Sequence, residues 1–134
     1  MNAKAALDLA GRIMLAAIFV IDGLQQVRFY EGTKGYMESF GVAGALLPLV
    51  ILLHVGGGLA VAAGFLTRIA AVALAAFVLA AALIFHTNLA DVNEFNHFWK
   101  NVALAGAFVL LAVNGPGAWS LDRQTPILGR RLHS

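Results

Sequence analysis

The sequence predicts an all-α fold: an integral membrane bundle of four antiparallel helices. Three observations predict it. Residues 45–66 and 69–85 carry no charged side chain, and about 20 mostly apolar residues cross a bilayer core. Hydrophobic residues make up 60% of the 134 positions and charged residues 12%, against about 25% charged in a soluble domain. Two further apolar stretches, 6–27 and 99–115, flank the uncharged pair. A soluble protein of this size could not hide so much apolar surface. A membrane helix need not, because it satisfies its own backbone.

The expected spans are 6–27, 45–66, 68–86 and 99–115, all within one domain. The first carries Arg12 and Asp22. Its apolar run after Lys4 superficially resembles a secretion signal, but Asp8 and Arg12 interrupt it and no small-residue cleavage site follows before Asp22. The segment is therefore expected to stay as the first span. The second and third spans meet at Phe65-Leu66-Thr67-Arg68, a joint short enough to predict an antiparallel hairpin. Loop 28–44 contains four glycines, with a short helix expected around Tyr36–Phe40. Phe95, Phe98 and Trp99 suggest an aromatic belt at the start of the fourth span. Pro116, after Gly115, stops that helix.

Orientation follows from positive charge. Lys4, Arg12, Arg68, Arg123, Arg130 and Arg131 fall at one end, and Arg28, Lys34 and Lys100 at the other. Six against three predicts both termini in the cytoplasm. Gly56, Ala60 and Gly64 form a small-residue stripe, and Ala103, Gly106 and Ala107 another, where helices can approach closely in lipid.

Polar groups then converge on the outer half. Asp22 and Gln26 share a helix face, with Gln25 beside them. His54 lies roughly 13 Å down its span. His86, His97, Lys100 and Asn101 reach the same end. Ionisable groups at membrane depth are costly and mark functional positions. The candidate ligand-binding set is Asp22, Gln25, Gln26, His54, Trp99, Lys100 and Asn101, with Phe19 or Trp99 placed to stack on a flat ring. His54 could relay a proton, helped by Asp22, or bridge helices by a hydrogen bond. No catalytic residue can be assigned. No metal is expected, because His86, Asp91, Glu94 and His97 fit no standard ligand spacing. At the inner end, Arg12, Arg68 and Asp122 are expected to form structural ion pairs that fasten the tail to the bundle.

Composition also excludes. With no cysteine, the chain has no thiol redox chemistry, disulfide or iron–sulfur cluster. A net charge of +2, with no basic run interleaved with aromatics, gives no case for nucleic acid.

Phe98-Trp99-Lys100-Asn101-Val102, Ala105-Gly106-Ala107-Phe108, Gly115-Pro116-Gly117-Ala118-Trp119-Ser120-Leu121-Asp122 and Gly64-Phe65-Leu66-Thr67-Arg68 together resemble the DoxX family. The resemblance covers nearly the whole chain. It implies a multi-pass protein of the bacterial inner membrane. It also implies a role as a quinone-interacting or redox-associated subunit, with a bound quinone as the one cofactor to expect. Relatives often carry a lysine where this chain has Gln26 and a glutamate where it has His54. A Gln26/His54 pair could still hydrogen-bond a quinone carbonyl, with different proton chemistry. Two other readings stay open: a non-catalytic partner or scaffold in a larger complex, and a small-solute carrier. The expected partners are the lipid bilayer and another protein or a second copy.

Overall fold

The computed structural model describes residues 2–124. Arg130 and Arg131, counted in the orientation argument, lie outside the described residues. Among these residues the chain forms helices and connecting turns, with no strand. In chain order the helices are α1 (Ala3–Arg28), α2 (Tyr30–Ser39), α3 (Leu47–Ala63), α4 (Thr67–Phe85), α5 (Val92–Asn114) and α6 (Leu121–Gln124), with a single 3-10 turn at Gly44–Leu46.

Each boundary has a local cause. The Asn2 side chain accepts from the Ala5 amide and starts α1, supplying one of the partners that the first turn of a helix lacks. A proline in the first turn opens α3, where its missing N–H costs nothing. At the end of α3, Phe65 N–H bonds Ala60 O at 2.8 Å and Gly64 N–H bonds Val61 O at 3.2 Å. That Schellman closure needs a left-handed residue, and Gly64 supplies φ +71°. Leu66 follows at φ +47°, a region that costs a leucine strain. Asp91 caps α5 through the amides of Asn93 and Glu94. Gly115, at φ +80°, and Pro116 end that helix.

Two elements differ from expectation. The fourth apolar helix begins at Val92, not Trp99, because the Asp91 cap starts it about two turns earlier. Loop 28–44 is mostly helix, since α2 covers Tyr30–Ser39 rather than only Tyr36–Phe40.

Packing proceeds α1 on α3, α3 on α4, α4 on α5. Phe19 of α1 meets Phe108 of α5 edge to face, with ring centres 5.2 Å apart. The core holds Ala16, Phe19, Val61, Leu74, Val78 and Phe108. Close approach occurs at Gly58 against Val20 and Ala16, and at Gly57 against Leu74. Gly56 and Gly106 do not serve in this way: the nearest atom to a Cβ at Gly56 is in its own helix, and one at Gly106 would meet nothing within 4 Å.

The core is apolar, but it also holds charged and polar side chains, and the surface carries many large apolar ones. Arg12, His54, Asp122 and Asn101 are buried. Meanwhile Met14 is 76% exposed, Leu52 67% and Val113 67%. Polar groups inside and large aliphatic ones outside match a hydrocarbon solvent. Two helical stretches, Gly44–Ala63 and Thr67–Phe85, are long and apolar enough to cross a membrane.

Candidate functional site

A cavity of about 360 Å³ opens among α1, α2, α3, α4 and α5. Five of the expected residues line it: Asp22 and Gln26 from α1, His54 from α3, and Lys100 and Asn101 from α5. Gln25 and Trp99 do not. Gln25 is exposed on α1. Trp99 is 52% exposed and packs edge to face on Phe95 and Phe98. Of the two aromatics expected to stack on a ligand, Phe19 is at the cavity wall.

His54 is the fixed point of the site. It is 5% exposed, and its Nδ1 lies 2.9 Å from Val50 O. A carbonyl only accepts, so Nδ1 carries the hydrogen in that bond and Nε2 is left as an acceptor. The ring stacks on Phe19 at 5.7 Å and meets Phe77 edge to face at 4.9 Å. Gly23 makes this possible: a Cβ there would come within 3.1 Å of His54 Cβ and 2.5 Å of Val55 Cγ2. Gln26 lines the cavity, and its Oε1 is buried with no hydrogen-bond partner, a polar atom without its complement.

The roof of the cavity was not anticipated. Thr33, Tyr36 and Met37 of α2 line it. Tyr36 stacks on Phe85 at 5.4 Å, and Phe40 meets Phe85 edge to face at 5.1 Å. The available signal was Tyr36 and Phe40 at helical spacing. The Tyr36 phenol titrates above its ordinary value, first because burial disfavours the phenolate and then because Glu94 repels it. Beside it, His86 Nδ1 contacts Glu94 Oε2 at 2.9 Å, the His86 and His97 rings stack at 5.1 Å, and Lys100 Nζ lies 3.4 Å from His97 Nδ1. Among the described residues, no group of three or more His, Asp or Glu is arranged to hold a metal ion.

The opposite end corrects the ion-pair expectation. Among the described residues the ion pairs within 4 Å are Lys4–Asp8 and His86–Glu94. Arg12, Arg68 and Asp122 bond the backbone instead. The Arg12 guanidinium donates to Ala62 O at 3.3 Å and to Trp119 O. Arg68 donates to Ala112 O and Val113 O, both at 3.1 Å. The Asp122 carboxylate accepts from Leu66 N–H at 2.8 Å and Thr67 N–H at 2.9 Å. Cations sit on the C-terminal carbonyls of α3 and α5, and an anion on the N-terminal amides of α4, as the helix dipoles favour. The tail is fastened as expected, but through helix ends.

These features define a small membrane protein, helical throughout its described residues and apolar outside, with a mostly apolar cavity holding a few polar groups at one end and a charged clasp at the other. The chain belongs to the DoxX family, which residues 7–87 match. It is 48% identical to the inner membrane protein YqjF of Escherichia coli (strain K12), over 86% of this chain and 88% of the relative. It is 39% identical to the inner membrane protein YphA of the same organism, over 91% and 92%. No solved structure matches. The protein is accordingly a multi-pass protein of the bacterial inner membrane.

Proposed function

We propose that α1, α3, α4 and α5 all span the inner membrane as an antiparallel four-helix domain. Both termini are then cytoplasmic and the cavity faces outward. The cavity holds a quinone head group, and the protein acts as a redox-associated subunit. Lys4, Arg12, Arg68 and Arg123 gather at the clasp end, which the positive-inside rule assigns to the cytoplasm. The outer faces of α1 and α5 carry exposed Leu7, Met14 and Leu24, and Val109, Leu110 and Val113. These two helices are less apolar than α3 and α4 because they bring Asp22, Gln26, Lys100 and Asn101 to the cavity.

The observation that carries the ligand reading is the His54 ring, held between Phe19 and Phe77 in a cavity otherwise walled mainly by aliphatic and aromatic side chains. A mostly apolar pocket with a few convergent polar groups is the usual form of a small-molecule site. A flat ring bearing oxygens at opposite edges suits it. With no thiol in the chain, electrons enter from a substrate or a partner protein.

The test is extraction of lipids from protein purified without added quinone. A bound quinone is expected, and His54→Ala is expected to release it while the bundle stays folded. Absence of any quinone, together with no binding of added quinone, would overturn the reading. A reporter active only outside the cytoplasm should be silent after Ser134 and active when inserted between His86 and Asp91; the reverse pattern would overturn the orientation.

A further inference from the structure

We infer that the cavity prefers the reduced, dihydroxy form of an aromatic ring over the oxidised dicarbonyl form. This rests on the quinone reading above and adds a direction to it. The wall made by α1 and α3 presents groups that accept. In the neutral His54 ring, the one hydrogen is committed to Val50 O at 2.9 Å, so Nε2 can only accept. The Asp22 carboxylate on the same wall also only accepts. The Gln26 amide carries both an acceptor oxygen and an NH2 donor. Across the cavity, Lys100 lines the α5 wall with an ammonium that only donates. The Asn101 amide serves either role.

The two redox forms meet this polarity differently. A quinone carbonyl oxygen carries lone pairs and no hydrogen. Set against the buried His54 Nε2, with Asp22 beside it, it leaves lone pairs facing lone pairs, a costly outcome at a buried acceptor, while its opposite carbonyl accepts from Lys100 as a hydroquinone oxygen would. A hydroquinone donates one O–H to that wall, and the opposite hydroxyl oxygen accepts from Lys100. The ring contacts with Phe19 and Phe77 are shared by both forms, so hydrogen bonding alone decides between them.

The experiment uses the full chain in lipid nanodiscs, with a short-tailed benzoquinone and its hydroquinone held reduced without oxygen. The hydroquinone is expected to bind about tenfold more tightly or better, the worth of one satisfied against one orphaned buried acceptor. The 15N resonance of His54 Nε2 is expected to move on adding hydroquinone. His54→Gln and Asp22→Asn each replace an acceptor-only group by an amide that can donate, and each is expected to bring the affinity ratio toward one. Asp22 is exposed on α1, so its variant serves if the buried one fails to fold. Equal affinities in the unaltered protein, or tighter binding of the quinone, would overturn this inference and leave the quinone reading standing. A ratio unchanged in Asp22→Asn and in any folded His54→Gln would overturn it too. Failure of both forms to bind would overturn the quinone reading itself.

Discussion

The Asp122 carboxylate accepts the Thr67 amide hydrogen at 2.9 Å, although the two residues lie 55 positions apart. Its other oxygen takes the Leu66 amide at 2.8 Å, and its own N–H bonds Gly64 O at 2.9 Å. The N-terminus of α4 therefore has no cap from its own sequence and borrows one from the tail. Asp122→Ala should lower stability by about 1–2 kcal/mol, the usual worth of an N-cap. It should also speed amide exchange at Leu66 and Thr67. Asp122→Asn keeps an acceptor oxygen for one of the two amides and should recover part of the loss. Thermal unfolding in detergent measures both.

Arg12 makes the complementary attachment. Its guanidinium serves carbonyls of α3 and the tail at once, which needs a fork of donors. Lysine keeps the charge but not the fork. Arg12→Lys should therefore cost about 2 kcal/mol, from the loss of charged hydrogen bonds to buried carbonyls. Added salt should change that loss little, because the partners are carbonyls and not carboxylates. A loss that vanished in high salt would instead reveal an ion pair.

The sequence carried the spans because two stretches are uncharged and helical periodicity is not needed to see them. It carried the poles of the molecule because charged and polar residues cluster by loop. Partners were harder. Arg12, Arg68 and Asp122 were legible as neighbours, but composition cannot show that a charge will meet a helix end instead of an opposite charge. Facing was harder still. Successive helical residues are turned by about 100°, so Gln26 lines the cavity while Gln25 does not, and Asn101 does while Trp99 does not. Deciding between such neighbours requires the position of the next helix, which Gly23 and Gly58 set. The roof was missed because four glycines in 28–44 read as loop, while the structure runs a helix through Gly32 and Gly35.

Tyr36 gives the roof a pH dependence. Burial first, and Glu94 second, raise its pKa above the ordinary phenol value near 10. The folded state thus holds the phenolic proton more tightly than the unfolded state does. Its contribution to stability is complete below the unfolded pKa and is lost as pH rises through the folded one. Tyr36 is 46% exposed, so the loss of stability above about pH 10 should be modest, and smaller in Tyr36→Phe. Glu94→Gln should lower the Tyr36 titration midpoint, followed by phenolate absorbance, without returning it fully, since burial remains. A midpoint that Glu94→Gln raises would contradict the repulsion.

Gly23 and Gly106 are both helical glycines and should respond oppositely to alanine. At Gly23 the new Cβ meets Val55 Cγ2 at 2.5 Å and Val55 N at 3.3 Å. The methyl can rotate away but the backbone cannot, so α1 and α3 must separate slightly. Overpacking of this kind costs about 1–3 kcal/mol. Because His54 sits at the same crossing, its ring should also shift against Phe19, and on the proposed quinone reading Gly23→Ala should retain less quinone as well as lose stability. At Gly106 nothing lies within 4 Å of the new Cβ. Only the backbone term is left there, and alanine gains up to about 1 kcal/mol over glycine within a helix. Gly106→Ala should unfold at the same temperature as the parent or higher, with ligand retention unchanged. Melting curves and retained quinone for the pair separate a helix crossing that positions His54 from a general intolerance of added side chains.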